Sequence, residues 1–153
     1  MTGGSAPPPE LIRWYKDKLD TEVIQIWGMT EMNPIGTYGR RVTRQMDLNK
    51  TEDELLQNQL VVGIPIPSVE LKVVDPEDFD KEVPWDGETV GELLVRGNST
   101  CNAYFNVSEE ILKKKFHKGW LITGDLSART KSGQLIIKDR SKDMIKSGGE
   151  WIS

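Results

Sequence analysis

An amphipathic helix near the N-terminus is the first element that the hydrophobic pattern predicts. Over residues 10–19, apolar side chains recur at helical spacing on one face, whereas charged side chains lie mostly on the opposite face. Pro8 or Pro9 suits the first turn, because an amide donor is not needed there. Residues 22–27 form a β-branched run that Gly28 ends, which predicts a buried strand. A helix followed by a strand at this spacing is typical of an α/β layer.

The pattern changes from loop to short strands near residue 60. Residues 29–50 are rich in Gly, Thr, Asn and Arg and are predicted to form a loop. Thr51 and Glu54 match a capping box, which predicts a short helix to residue 59. From residue 60 onwards, apolar runs separated by Gly, Pro and Asp indicate antiparallel strands, with one amphipathic helix at 108–116. We therefore predict an α/β edge followed by a small antiparallel β-barrel-like subdomain, which makes the fold α+β overall.

The composition limits the class of protein. The 153 residues include 37% hydrophobic and 29% charged residues, which is enough apolar material for the core of one domain. A formal net charge of -4 argues against binding to nucleic acid, which needs a concentrated basic face. No apolar run approaches the roughly 20 residues that span a bilayer, so no transmembrane segment is predicted. Cys101 is the single cysteine, which excludes a disulfide scaffold and favours a reducing, cytoplasmic location.

Acidic residues beside Gly and Thr mark three candidate binding spots after predicted strands. They lie at 28–31, 123–125 and 139–140. A carboxylate at such a spot can accept hydrogen bonds from ribose hydroxyls or ligate Mg²⁺, and a neighbouring Gly lets a ligand approach the backbone. Open α/β sheets place their ligands at strand ends of this kind. Taken singly, each spot is more often a solvated turn or a helix cap.

Five motifs follow one another in a specific order. They are WGMTE at 27–31, GELLVRG at 91–97, GWLITGD at 119–125, DRSKD at 139–143 and SGGE at 147–150. This series resembles the adenylate-forming (AMP-binding) superfamily of acyl-CoA synthetases, peptide-synthetase adenylation domains and beetle luciferase. The first and last motifs look most like those of medium- and long-chain fatty-acyl-CoA ligases. The resemblance implies that residues 1–59 end an α/β nucleotide-binding subdomain, 60–138 form a β subdomain, and 139–153 contain a hinge and the start of a small C-terminal domain.

The resemblance also implies which residues surround the adenine. In the family, one loop lies against one face of the base, and it matches Gly4, Ser5, Ala6 and Pro7. Trp27 stands where the family usually has Tyr, which stacks on the other face, and Gly28 follows it in the same motif. Stacking of an aromatic ring on a base contributes roughly 1–3 kcal/mol. Two alternatives stay open: the first residues are left over from an expression vector, and Trp27 is a buried aromatic at a strand end.

Further resemblances concern the ribose, the phosphate and Mg²⁺. Thr30 and Glu31 match residues that hold the phosphate and Mg²⁺, with Glu31 as the metal ligand. Asp125 matches the aspartate that accepts both ribose hydroxyls. Arg140 matches the arginine that reaches the ribose and the phosphate, and its permanent charge suits an anionic ligand.

Two more residues match parts of the family that move or bind coenzyme A. Lys142 lies at the hinge about which the family exchanges one half-reaction for the other, although an ordinary surface lysine in a turn is the alternative. Gly149 belongs to a loop that resembles the lining of the pantetheine path.

The implied activity is that of a fatty-acid–CoA ligase. Such an enzyme uses ATP and Mg²⁺ to convert a carboxylate into an acyl-adenylate, releases pyrophosphate and later AMP, and transfers the acyl group to coenzyme A. The family's Ser/Thr/Gly-rich phosphate loop and its C-terminal domain with the adenylating lysine match nothing in these residues. We therefore expect an internal fragment whose partners are the rest of the parent chain, the fatty acid and coenzyme A, and which is inactive alone. The alternatives are a non-catalytic module, which binds adenine nucleotide or is purely structural, and an amino-acid-activating adenylation domain.

Overall fold

Helix α1 begins the fold at Pro9–Leu19 in the computed structural model, which describes residues 1–4, 7–39, 51, 54, 60–140, 145–147 and 150–152. Pro9 occupies the first helical position, as predicted, and Asp20 ends the helix in the left-handed conformation. Of the predicted apolar face, Ile12 is buried and Tyr15 is half-buried, whereas Leu11 and Leu19 are exposed. Within the described residues, α1 is therefore anchored mainly through one side chain.

A three-stranded sheet follows α1, and it corrects two predictions. Strand β1 is Ile26–Gly28, preceded by an isolated parallel bridge between Gln25 and Thr2, so the predicted strand at 22–27 is mostly an extended approach to the sheet. The predicted loop at 29–50 contains a 3₁₀ turn at Thr30–Met32 and strand β2 at Ile35–Tyr38. β2 forms because it pairs with β1 on one side and with β3, Ile64–Pro65, on the other. Such partners cannot be read from the local composition. Residues 40–50 lie outside the described residues.

An antiparallel sheet contains most of the buried apolar residues, and it confirms the predicted β-barrel-like subdomain. Its strands are β4 (Val69–Asp75), β5 (Asp78–Glu82), β6 (Gly91–Gly97), β7 (Phe116–His117), β8 (Trp120–Arg129) and β9 (Leu135–Arg140). The order is β5-β4-β6-β8-β7, and β9 pairs with β8. The buried core includes Val73, Leu93, Val95, Leu121 and Leu135.

Helix α2 spans Glu109–Lys115 and precedes β7, close to the helix predicted at 108–116. Acidic residues occupy its first turn and basic residues its last, which favours the helix dipole. Ser108 occupies the N-cap position, but its side chain makes no capping hydrogen bond. The side chains of Thr51 and Glu54 form the reciprocal bonds of the predicted capping box, at 2.7 and 3.3 Å. The body of that short helix lies outside the described residues.

A backbone bridge between Gly63 and Leu135 joins the three-stranded sheet to the sheet of β4–β9 and positions the candidate site. Leu135 N–H donates to Gly63 O at 2.7 Å, and Val62 N–H donates to Leu135 O at 3.0 Å. This bridge places the start of β9 beside β3. As a result, the end of β1 faces the paired strands β8 and β9. The chain then continues to a hairpin of β10, Ile145–Ser147, and β11, Glu150–Ile152. None of the described helices is long and apolar enough to cross a membrane.

Candidate nucleotide-binding site

Asp125 is the centre of a three-residue cluster built from separate strands. The residue is only 6% exposed, and its carboxylate Oδ2 accepts a hydrogen bond from Trp27 Nε1–H at 2.8 Å. Arg140 lies opposite Asp125 in the β8–β9 register, and Arg140 Nε is 2.9 Å from Asp125 Oδ1. A buried carboxylate requires such compensation, since burial of an unpaired charge is costly. The structure thus brings together three residues that the sequence pattern placed far apart.

An irregularity in β8 presents Asp125 to this cluster. Leu94 pairs with Ile122 and Glu92 with Leu126, so that residues 123–125 oppose Leu93 alone. Such a bulge bends its strand and redirects a side chain. Two of the bulge's polar groups are satisfied across the strands. Thr123 Oγ1 donates to Leu93 O at 2.8 Å, and Gly124 N–H donates to Glu92 Oε1 at 2.7 Å.

The backbone conformation of this bulge favours glycine at position 124. Gly124 has a φ of +77°, in the left-handed region that other residues adopt at a cost. Its neighbour Asp125 also donates its amide to Thr123 Oγ1 at 3.1 Å, so the hydroxyl of Thr123 serves as both donor and acceptor. The Thr-Gly-Asp motif is therefore a local device that fixes the position of one carboxylate.

Burial and hydrogen bonding act in opposite directions on the Asp125 carboxyl. Burial raises its pKa above the ordinary 3.8, whereas the Trp27 indole N–H and the charge of Arg140 lower the pKa. Burial has the larger influence, because the pKa remains raised. A carboxylate has about four lone-pair sites. Asp125 therefore keeps acceptor capacity for a ligand hydroxyl after it has bound Trp27 and Arg140.

A cavity of about 330 Å³ opens beside this cluster. Small-molecule pockets commonly have volumes of about 300–1,000 Å³. Five residues that the motifs predicted lie on its wall: Gly4, Trp27, Gly28, Asp125 and Arg140. The rest of the wall comes from Gln25, Ile26, Leu60, Val62, Ile137, Lys138 and Asp139. Among these, Gln25 is a buried polar residue that the sequence analysis missed, and Lys138 was not singled out either. The position of Gln25 inside an otherwise apolar run was the signal.

Two glycines lie on this wall, and the close approach of β1 and β2 requires one of them, Gly28. A Cβ on Gly28 would lie 1.9 Å from Pro34 O, so any side chain there would push β1 and β2 apart. Gly4 is brought to the cavity by Thr2, whose N–H donates to Ile24 O and whose O accepts from Ile26 N–H, both at 2.8 Å. The adenine contact that the resemblance implies for this loop stays a prediction. Ser5 and Ala6 lie outside the described residues, and Pro7 is buried but absent from the wall.

Trp27 has two roles in the structure. Most of its ring packs in the core, because the side chain is 8% exposed and a Cβ on Gly36 would lie 2.8 Å from Trp27 Cζ3. Its remaining surface lines the cavity, and its N–H fixes Asp125. The indole is therefore both a buried residue at a strand end and part of the candidate site. The sequence did not reveal the hydrogen bond to Asp125, which joins residues 98 positions apart.

Thr30 and Glu31 lie on the 3₁₀ turn directly after β1, outside the cavity wall. Met32, fully buried, anchors this turn in the core, and Thr30 is exposed. Glu31 Oε1 accepts a hydrogen bond from Tyr104 OH at 2.6 Å. The described residues contain no cluster of three or more metal-ligating side chains. A single carboxylate still fits Mg²⁺, which typically binds one or two carboxylates together with substrate phosphates. Lys142 and Gly149 lie outside the described residues.

Replacing Trp27 with Phe is expected to raise the pKa of Asp125 further, because the indole N–H that favours the ionised carboxylate is lost. Since the folded pKa is already above the unfolded value of 3.8, the free energy of unfolding falls as pH rises through the folded pKa, and it should fall more in the variant. Carbon-13 NMR titration of the Asp125 carboxyl measures the shift. Trp14→Phe, on the exposed face of α1, is the control. An unchanged or lower pKa in Trp27→Phe would contradict the interpretation.

Comparisons with known proteins are consistent with this geometry. The model of the AMP-binding enzyme family matches residues 1–105. The 3-methylmercaptopropionyl-CoA ligase of Ruegeria pomeroyi is 40% identical over 154 residues, and the medium-chain-fatty-acid–CoA ligase of Ectopseudomonas oleovorans is 40% identical over 153 residues. In both cases the match covers 100% of this chain and 27% of the relative. The chain therefore spans about a quarter of the length of these relatives.

A solved structure extends the similarity to three dimensions. The O-succinylbenzoate coenzyme A synthetase (MenE) of Bacillus subtilis, in complex with ATP and magnesium ion, superposes with a TM-score of 0.72 at 31% identity. The match covers 98% of this chain and 28% of that one. The family model, the ligase relatives and the shared fold lead to one conclusion: this chain belongs to the AMP-binding enzyme family.

Proposed function

We propose that this chain supplies half of the nucleotide-binding site of an AMP-forming acyl-CoA ligase. The observation that carries the proposal is the cluster of Trp27, Asp125 and Arg140 at the wall of one cavity. The three residues come from different strands, and the motifs of the family predicted each of them. The similarity to curated acyl-CoA ligases over the whole chain supports the reaction class.

The cluster suits the ribose and phosphate of an adenine nucleotide. Asp125 can accept hydrogen bonds from the two ribose hydroxyls with the lone pairs that remain. The Arg140 side chain is exposed enough to reorient toward a phosphate. Its guanidinium would then pair with a phosphate oxygen in place of the Asp125 carboxylate, so its charge would stay compensated. Gly4 lies on the cavity wall with open space on the side where a Cβ would be, which would leave room for the flat base. Each residue would therefore bind a different part of the same ligand.

In the adenylation step, a carboxylate oxygen of the substrate attacks the α-phosphorus of ATP and pyrophosphate leaves. The protein's task is to orient the two reactants and to offset negative charge. Arg140 would contribute a fixed positive charge near the ribose end. Glu31 would hold Mg²⁺, whose role when bound is to neutralise phosphate charge. The thiol of coenzyme A then displaces AMP from the acyl-adenylate and forms the thioester.

The finer assignments belong to the same proposal. The substrate is a fatty acid, as the ligase relatives suggest, and Cys101 as the single cysteine favours the cytoplasm. Thr30 would contact the phosphate. Lys142 would serve as the hinge between the half-reactions, and Gly149 would line the pantetheine path.

An assay on the full-length protein that contains this chain tests the proposal. Incubation with ATP, Mg²⁺, coenzyme A and fatty acids of graded length should yield AMP, pyrophosphate and acyl-CoA in equal amounts. Omission of the fatty acid should abolish all three products. Formation of ADP and phosphate would contradict the reaction class. Adenylation of amino acids, without acyl-CoA, would favour the amino-acid-activating alternative.

A further inference from the structure

The loop between β6 and α2 contacts the turn that contains Glu31 at two points. Cys101 N–H donates to the backbone oxygen of Glu31 at 2.8 Å, which fixes the peptide. Tyr104 OH donates to Oε1 of the Glu31 carboxylate at 2.6 Å, which fixes the side chain. Both contacts come from residues 101–104, far downstream of Glu31 in the chain, and the sequence analysis predicted neither of them.

The geometry of these contacts points to a new assignment. We infer that Tyr104 is a positioning residue that orients the carboxylate of Glu31 toward the Mg²⁺ of the bound nucleotide. The inference rests on the proposed function, because it takes Glu31 as the metal ligand. Tyr104 itself contacts neither metal nor nucleotide in this assignment and acts through Glu31 alone.

The Tyr104 ring is held in place independently of Glu31. It packs against Phe116 with ring centroids 5.9 Å apart and planes tilted by 57°. The packing of its own ring therefore presents the hydroxyl of Tyr104 to the Glu31 carboxylate.

The hydrogen bond leaves half of the carboxylate open. Tyr104 occupies Oε1, whereas Oε2 has no partner among the residues that the structure describes. A Glu side chain that points freely into solvent would lose several rotamers on metal binding. A side chain that Tyr104 already orients loses fewer, so the metal should bind more tightly. Hydrogen bonds of this kind commonly orient the carboxylates that ligate metals.

A metal-binding measurement on the full-length protein tests this inference without a catalytic readout. The dissociation constant of Mn²⁺ is measured by electron paramagnetic resonance in the presence of α,β-methylene-ATP, with Mn²⁺ as a hard, oxygen-preferring probe. Tyr104→Phe keeps the ring on Phe116 and removes only the hydroxyl. Hydrogen bonds to charged groups are strong enough that loss of this one should weaken Mn²⁺ binding by about tenfold. Tyr15→Phe, on α1, removes the same atom elsewhere and should change nothing.

A double-mutant cycle separates positioning from a general loss of structure. In the Glu31→Gln background, Tyr104→Phe should have little further effect on Mn²⁺ binding, because the carboxylate that Tyr104 orients is no longer there. Equal weakening in both backgrounds would overturn the inference, since Tyr104 would then act on the fold and not through Glu31. An unchanged dissociation constant in Tyr104→Phe, while Glu31→Gln weakens binding, would also overturn it. If Glu31→Gln itself leaves Mn²⁺ binding unchanged, the metal role proposed for Glu31 fails, and this inference fails with it.

Discussion

Replacing Asp125 with Ala in the full-length protein is expected to raise the KM for ATP by about tenfold or more, while the KM for the carboxylic acid stays nearly unchanged. Each hydrogen bond to a charged group contributes about 1.5–3 kcal/mol, and the proposed site gives Asp125 two such bonds to the ribose. The substitution also removes the acceptor of Trp27 Nε1–H and the partner of Arg140. The variant therefore lacks the acceptor for the ribose hydroxyls, and the side chains of Trp27 and Arg140 lose the partner that holds them in place.

Two further variants make the Asp125 result specific. Asp125→Asn keeps the shape and one acceptor oxygen, so its effect on the KM for ATP should be smaller than that of the Ala variant. Asp17→Ala removes an exposed carboxylate of α1 and should leave both constants unchanged. Equal increases in the KM for ATP and for the carboxylic acid in Asp125→Ala would contradict the ribose assignment, because they would indicate damage to the whole site.

The isolated chain of 153 residues is expected to show no carboxylate-dependent exchange of pyrophosphate into ATP. Its residues provide the ribose and metal end of the proposed site, but none of them matches the family's phosphate loop or its adenylating lysine. Without groups that orient the outer phosphates, the in-line attack loses most of its advantage from orientation. Radiolabelled pyrophosphate exchange measures this directly, with full-length protein as the positive control. Exchange by the isolated chain above a boiled control would show that these 153 residues are sufficient for adenylation.

The sequence predicted which residues meet at the candidate site better than it predicted their interactions. Asp125 and Arg140 were singled out because motifs in a fixed order contain them, and the structure places both at one cavity, while their roles stay predictions. The hydrogen bonds from Trp27 and Tyr104 were missed, because they join residues 98 and 73 positions apart. Such contacts depend on how the strands pair, and the local spacing of residue types in the sequence does not predict that pairing.

The errors in secondary structure have the same origin. β2 lies in a segment whose Gly and Thr content suggested a loop, yet pairing with β1 and β3 makes it a strand. Helix α1 was predicted correctly. The spacing of its apolar residues could not show, however, that Leu11 and Leu19 stay exposed among the described residues. By contrast, the antiparallel subdomain was predicted well, because its alternation of strands and turns is a local property.

Whether Asp125 binds the ribose of an adenine nucleotide can be measured by comparing two ligands in two variants of the protein. Isothermal titration of the full-length protein with AMP and with 2′,3′-dideoxy-AMP gives the contribution of the two hydroxyls to affinity. We expect AMP to bind at least about tenfold more tightly than the dideoxy compound, and this preference should disappear in Asp125→Ala. If the preference persists in Asp125→Ala, another group binds the hydroxyls and the ribose role of Asp125 fails.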